Sequence, residues 1–152
     1  MTIQAQILDL LQDLKRSRGM AIILITHDLG VVARMADRVA VMYAGEIVEE
    51  GGVDDVFYRS AHPYTLGLRD AMPGLETGKH RLTPIEGTPP DLFHPPSGCG
   101  YFARCPYAMR VCERERPALD VVDPGHSARC WLHDPKSERS VERLHLRGGA
   151  RA

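Results

Sequence analysis

The distribution of proline divides this chain into two kinds of sequence. The first 62 residues contain no proline, whereas all eleven prolines lie between Pro63 and Pro135. Because proline is excluded from the interiors of helices and central strands, the N-terminal part predicts regular packed elements and the later part a turn-rich extension. We place the first part at residues 1–73, a linker at 74–84, the extension at 85–135 and a polar tail, expected to be disordered, at 136–152.

Hydrophobic spacing before the linker predicts an α/β arrangement. Apolar residues recur at helical spacing in the first turns of the chain, and Gly19 follows a basic cluster that is typical of a helix C-terminus. A short run of β-branched residues and a second helix come next, followed by two strand-like runs around a tight turn. The predicted elements are a helix with apolar positions Ile3, Ile7, Leu10, Leu11 and Leu14, a strand Ala21–Thr26, a helix Leu29–Ala36 capped by Asp28, a hairpin of Val39–Tyr43 and Glu46–Glu49 around Ala44-Gly45, and short helices Val53–Tyr58 and Tyr64–Ala71.

His27 is the first candidate functional residue, because it directly follows the predicted strand Ala21–Thr26. In open α/β sheets, ligands bind at the carboxyl ends of strands. An imidazole there can donate a hydrogen bond to a phosphate oxygen and so sense whether a phosphate is present. A lone histidine after a strand is also commonly a surface or capping residue, and the position alone leaves both readings open.

The combination of these segments resembles the distal part of an ATP-binding cassette (ABC) ATPase, closest to the oligopeptide, dipeptide and nickel importer group. The segments that carry the resemblance are TIQAQILDLL, the Thr26-His27-Asp28 triplet, ADRVAVMYAGEIVEEG and HPYT. The resemblance covers residues 2 to about 133. It implies an incomplete P-loop ATPase sheet with a closing hairpin and helices, and it makes His27 the switch histidine that contacts the γ-phosphate in the intact family.

Most of the motifs that such an ATPase needs are absent from this sequence. There is no phosphate-binding loop of the type GxxxxGK[ST], no LSGGQ signature, no Q-loop glutamine and no Asp-Glu pair for Mg²⁺ and water. The chain is therefore predicted to be inactive alone, with ATP and Mg²⁺ bound only in the intact family. The family usually has a valine where Met1 stands, so we expect a truncated subunit that begins at an internal start codon.

Four cysteines in the extension form the second candidate site: Cys99, Cys105, Cys112 and Cys130, in the spacing C-x5-C-x6-C-x17-C. Converging thiols in a cytosolic chain favour metal ligation, because thiolates bind Zn²⁺ and iron–sulfur centres. The spacing lacks the C-x2-C knuckle common in structural zinc sites, and wider gaps suit an iron–sulfur cube. Zinc, free buried thiols and two disulfides remain alternatives.

The extension also resembles the C-terminal extension of the peptide-importer ATPases, in the pattern P-x-G-C, R-C-P, a third Cys and G-H-x-x-x-C. That resemblance implies a [4Fe–4S] cluster on the four cysteines in some members. Arg104 and Arg129 each precede a cysteine, where they either offset the cluster charge or are simply solvated. His126 and His133 flank Cys130, and for His126 we expect a turn or supporting contact instead of metal ligation.

The composition restricts the partners and the location of the protein. The formal net charge is −1, so nothing indicates binding to nucleic acid, and no apolar segment follows a basic N-terminus as in a secretory signal. We expect a cytoplasmic protein, peripheral on the inner membrane when assembled. The resemblance implies permease subunits and a second ATP-binding subunit as partners, and indirectly a solute-binding protein for peptides or nickel.

Two functions from different classes follow from these observations. The first is a truncated nucleotide-binding subunit of an importer, whose intact relatives couple ATP hydrolysis to uptake of peptides or nickel. The alternative is a free-standing module that binds a metal or a partner through the cysteine extension, with no ATPase role. Because the predicted strand Ala21–Thr26 has no neighbouring strands in this sequence, we expect marginal stability or aggregation of the isolated chain.

Overall fold

The computed structural model describes residues 3–72, 84–135 and 137, and it divides into two units, residues 1–37 and residues 38–152. The predicted linker at 74–84, apart from Pro84, and the predicted tail at 136–152, apart from Ser137, lie outside the described residues. The first unit contains the helices α1 (Ile3–Arg18) and α2 (Leu29–Met35). The second unit contains β1 (Arg38–Tyr43), β2 (Glu46–Gly52), α3 (Val53–Tyr58), α4 (Pro63–Asp70), α5 (Arg110–Arg114), β3 (Asp120–Asp123), β4 (His126–Ala128) and short 3₁₀ helices at Phe102–Arg104 and Trp131–His133.

The two predicted helices of the first unit are present. α1 has three basic residues in its last turn and is followed by Gly19 at φ +61°, a left-handed conformation that glycine adopts without steric cost. α2 begins after Asp28, whose side chain caps the helix as predicted. The predicted helix Leu29–Ala36 thus differs from α2 by one residue at its C-terminal end.

The predicted strand Ala21–Thr26 is wrong. Residues 21–26 have no regular secondary structure, and the side chains of Ile23 and Ile25 are 93% and 95% exposed. A strand requires hydrogen-bonded neighbours, and the described residues of the first unit contain no other strand. The apolar composition of this run predicted that it is buried, but the described residues of the first unit do not cover it.

The second unit is built on a four-stranded antiparallel sheet with the order β1-β2-β4-β3. The predicted hairpin of β1 and β2 is confirmed, and its turn residues Ala44 and Gly45 have φ values of +50° and +82°, as a two-residue turn between twisted strands requires. The extension, which we expected to be irregular, contributes β3 and β4 to this sheet. The difference arises because the Pro124-Gly125 turn, with Gly125 at φ +78°, reverses the chain between the two short strands.

The core of the second unit combines residues from both sides of the predicted linker. One cluster joins Val41, Tyr43, Val48 and Val56 from the hairpin and α3 with Tyr101 from the extension. A second cluster joins Leu66 of α4 with Leu132 of the extension. Burial of each such side chain stabilises a fold by about 1.5–3 kcal/mol, so the extension is held to the hairpin by ordinary core packing.

Candidate functional site

His27 lies in the first unit, directly before the residue that caps α2. The Asp28 carboxylate accepts hydrogen bonds from the backbone N–H groups of Gly30 and Val31, at 2.9 and 3.2 Å. The Asp28 N–H donates in turn to the Thr26 hydroxyl at 3.0 Å. These bonds fix the backbone on both sides of His27, whose side chain is exposed. The helix start thus presents the imidazole to solvent, although no strand precedes it.

The four predicted cysteines all lie in the second unit, and none of them forms a disulfide. Cys112 is buried, and the other three are partly buried. The alternative of two disulfides is therefore not the state that the structure describes. All four thiols are chemically suited to bind a metal ion, but their positions in the structure are not suited to it.

Cys99 and Cys112 are held together through their backbones. The Cys99 N–H donates to the Cys112 carbonyl at 2.8 Å. Gly98 makes this approach possible, because a Cβ atom at that position would lie 2.3 Å from the Cys112 carbonyl oxygen. A glycine before the first cysteine is thus a steric requirement of the site, and the P-x-G-C pattern contains it.

Cys105 and Cys130 are positioned by the two 3₁₀ helices. The Cys105 N–H donates to the carbonyl of Phe102 at 3.2 Å at the end of the first of them, and its side chain packs against the cluster around Tyr43 and Tyr101. The Cys130 carbonyl accepts from the His133 N–H at 3.2 Å at the start of the second, and its side chain packs against Leu66 and Leu132. Each thiol therefore borders one of the two core clusters.

Burial and repulsion between neighbouring thiolates raise the pKa of Cys130 and of Cys99, which favours the protonated form of these two thiols. Burial raises the pKa of Cys130, which a backbone hydrogen bond near Leu132 partly opposes, and the charges of the other three cysteines raise it further. Burial also raises the pKa of Cys99, with a smaller contribution from Cys112. The four groups thus lie near enough to influence one another. A cation would have to displace the protons before it could be bound.

The arrangement does not assemble a metal site. Within residues 3–72, 84–135 and 137, no three Cys, His, Asp or Glu side chains come close enough together to hold a metal ion. The donor set fits a thiolate-bound metal in its chemistry, because four cysteines, none of them in a disulfide, are present in one unit. The positions of the four cysteines do not fit a metal site, so the expectation of an iron–sulfur or zinc site gains no support from the structure.

Arg104 and Arg129 are not simply solvated, because both donate hydrogen bonds within the second unit. Arg104 donates to the carbonyls of Glu86 and Ile85, at 2.8 and 2.9 Å, and to the Tyr43 hydroxyl at 3.2 Å. Arg129 donates to the carbonyls of Ile47 and Pro117, at 3.1 and 3.0 Å. Both guanidinium groups therefore tie the extension together and link it to the hairpin.

The two histidines that flank Cys130 are engaged by the protein itself. His133 Nε2 lies 2.7 Å from the Ala61 carbonyl, and His126 Nε2 lies 2.8 Å from Glu49 Oε1. The expected supporting contact of His126 is thus identified as a contact with Glu49. The sequence analysis missed Glu49, because nothing in the sequence distinguishes it from Glu50 beside it.

Comparisons with known proteins agree on one family. Residues 48–112 match the family described as "Oligopeptide/dipeptide transporter, C-terminal region". The chain is 53% identical, over 92% of its own length and 42% of the relative's, to the dipeptide transport ATP-binding protein DppD of Bacillus subtilis. It is 52% identical over 91% of its length, and 39% of the relative's, to the oligopeptide transport ATP-binding protein OppD of that organism. It is also 48% identical over 86% of its length, and 38% of the relative's, to OppD of Salmonella typhimurium.

The chain spans about two-fifths of the length of these curated relatives. Among the described residues, no helix has both the length and the apolar character that a membrane span requires.

Proposed function

We propose that this chain, which is similar to oligopeptide and dipeptide transport ATP-binding proteins, acts as part of the nucleotide-binding subunit of a peptide importer. The observation that carries the proposal is the identity of about one residue in two with peptide-transport ATP-binding proteins over 92% of this chain. In the complete subunit, ATP bound with Mg²⁺ would be hydrolysed to drive uptake. Nothing in the described residues favours the alternative of a free-standing metal-binding module.

We propose that His27 contacts the γ-phosphate of ATP in the complete subunit. Its support is local: the side chain is exposed, and the backbone around it is fixed by the hydrogen bonds between Thr26, Asp28 and the first turn of α2. An imidazole held in this way can donate one hydrogen bond to a phosphate oxygen at little entropic cost. The P-loop, signature and Mg²⁺-binding residues would come from sequence that this chain does not contain.

For the complete subunit we propose the partners that the resemblance to peptide-importer ATPases implies. Permease subunits would carry the substrate across the membrane, a second ATP-binding subunit would pair with this one, and a solute-binding protein would deliver the peptide or nickel. The subunit would then lie in the cytoplasm, peripheral on the inner membrane. We also propose that residues 1–73 and 85–135 correspond to the distal ATPase part and to the transporter extension.

The function is tested by peptide uptake in cells that carry the gene for a complete subunit containing this sequence, because the chain alone lacks the phosphate-binding motifs. His27→Ala should lower the uptake of labelled di- and oligopeptides at least about tenfold, since a hydrogen bond to the reacting phosphate is lost. His94→Ala is the matched control, because His94 is also an exposed histidine but belongs to the extension. Unchanged peptide uptake in the His27 variant would contradict the proposal. Nickel uptake that depends on His27 would assign the transported substrate to nickel instead.

The finer proposal for the extension is that the four cysteines bind a [4Fe–4S] cluster, with Zn²⁺ as the alternative metal. Four cysteines in one unit, none of them in a disulfide, support it, while their present placement means that the loops around them would have to move closer. His126 is already engaged by Glu49, so it is poorly placed to replace a cysteine. A bound cluster would serve to hold the extension together.

Anaerobic purification tests this assignment. A cluster should give a brown protein with visible absorbance that Cys130→Ser abolishes, and zinc should give a colourless protein with about one metal ion per chain. A Ser127→Ala variant, altered three residues away on β4, should retain the metal. Protein that retains neither iron nor zinc after reconstitution would overturn the proposal.

A further inference from the structure

Glu49 is a buried carboxylate at which three segments of the second unit meet. Its side chain is 0% exposed, although it belongs to β2 of the hairpin. Its Oε1 atom accepts a hydrogen bond from the Ala61 N–H at 2.7 Å, and its Oε2 atom accepts one from the His62 N–H at 2.9 Å. The third partner is His126 Nε2 on β4, 2.8 Å from Oε1.

This arrangement is complete in its hydrogen bonds, which explains how the fold tolerates a buried acid. Burial of a carboxylate without partners is very costly, so a carboxylate with 0% exposure persists only where donors surround it. An ionised carboxylate can only accept, so the His126 ring donates through Nε2. The Ala61 and His62 amides lie at the N-terminal end of α4, where the helix dipole also favours a negative charge.

The surrounding residues are shaped to this contact. Gly51 lies beside the His126 ring, and a Cβ atom there would be 3.0 Å from His126 Cδ2. Next to the contact, β2 and β4 pair through Glu49 with Ala128 and Glu50 with Ser127. The His133 ring also reaches the Ala61 carbonyl, so the segment before α4 is held from both sides by the extension and the hairpin.

We propose that Glu49 is a positioning residue that latches the Cys130 segment to the hairpin and to the start of α4, so that these three segments open and close together. The connection runs from the carboxylate through His126 and β4 to Cys130, which directly follows β4 and Arg129. Any event that moves the Cys130 segment, whether oxidation, metal binding or the binding of a partner, would then also move the hairpin. Without the latch, the segment would move independently.

The latch is tested by site-resolved thiol labelling and hydrogen exchange on the full chain, in the presence of a reductant that is removed before labelling. Glu49→Gln keeps the shape but removes the charge and one acceptor. We expect it to increase iodoacetamide labelling of Cys130 and exchange of the Ala61 and His62 amides together, each by about tenfold. Labelling of Cys105, which packs against the other core cluster, should change less than about twofold.

Glu50→Gln is the matched control, since Glu50 is the neighbouring carboxylate on β2 but is only partly buried. It should leave all of these rates within about twofold of the parent chain. Faster amide exchange with unchanged Cys130 labelling would mean that Glu49 merely caps α4, and the proposal would fail. An equal increase at all four cysteines would mean general unfolding, which would also overturn it.

His126→Leu tests the coupling from the other end. The variant removes the donor on β4 but leaves both backbone donors of α4 in place. If the segments open together, the Ala61 and His62 amides should exchange several-fold faster even though their own hydrogen bonds to Glu49 remain. Unchanged exchange of these amides in His126→Leu would overturn the latch.

Discussion

The two units of this chain differ in how far their apolar side chains are buried. In the first unit no described side chain is buried, Leu10 of α1 is 59% exposed, and the ion pairs Lys15–Asp37 and Arg34–Asp9 lie at the surface. In the second unit, tyrosines, valines and leucines are enclosed and even a glutamate is fully buried with its donors. The similarity to transport ATP-binding proteins covers 92% of the chain, so similarity in sequence does not by itself indicate which segments are buried.

The comparison predicts that leucine truncation has very different costs in the two units. Leu132 is 3% exposed and packs against Leu66, so Leu132→Ala should lower the free energy of unfolding of the second unit by about 3 kcal/mol. Leu10→Ala is the matched substitution in the first unit and should lower the free energy of unfolding of that unit by less than about 0.5 kcal/mol. Urea denaturation followed by far-ultraviolet circular dichroism includes the helices of the first unit, and the fluorescence of Trp131, the single tryptophan, follows the second unit. Equal losses of unfolding free energy in the two variants would contradict this difference between the units.

Gly98→Ala should destabilise the second unit somewhat less than Leu132→Ala does. The added Cβ would lie 2.3 Å from the Cys112 carbonyl oxygen, so the backbone must shift at a cost of about 2 kcal/mol. Gly100→Ala provides the control, because its Cβ would meet Ala44 at an ordinary 3.5 Å. The same denaturation experiment should show less than about 1 kcal/mol for that variant. A larger loss for Gly100→Ala than for Gly98→Ala would contradict the close approach of Cys99 and Cys112.

Acid should destabilise the second unit through His62. Burial, assisted by His133, lowers the pKa of His62 from 6.5 to about 3. Between these values the unfolded chain binds a proton that the folded state does not. Stability therefore falls as the pH drops from 6.5 toward 3, by up to about 1.4 kcal/mol per pH unit.

His62→Asn should flatten this part of the pH profile, because asparagine can cap α4 as the His62 ring does but does not titrate. His94→Asn, at an exposed position, should keep the steep profile. The measurement is urea denaturation of the three proteins at several pH values. A parent profile as flat as that of His62→Asn would show that His62 is not the group responsible.

Local signals in the sequence were sufficient for the elements that depend on near neighbours. The helix Val53–Tyr58 lies where its spacing indicated, and the hairpin turns at Ala44-Gly45. The strand Ala21–Thr26 failed because an apolar run predicts burial without saying what covers it. β3 and β4 were missed because β4 pairs with β2, which lies far away along the chain, and β3 pairs in turn with β4.

The candidate sites, too, were predicted only as far as neighbouring residues in the sequence determine them. The cysteine spacing identified a set of donors in one unit, but the distances between thiols depend on loops whose course the spacing does not determine. Glu49 and Glu50 are identical residues on adjacent positions of one strand, so they face opposite sides. Only the pairing of β2 with β4 decides that Glu49 is the one that faces inward.

Residue-resolved hydrogen exchange of the full chain tests most directly whether the second unit is a self-contained fold while the run before His27 is not. The amides of Val41 and Val48 in the β1–β2 hairpin should exchange at least about a thousandfold more slowly than those of residues 21–26, because core strands exchange only through extensive opening. Protection of residues 21–26 equal to that of the hairpin would contradict the account, since it would require a folded strand where the structure has none.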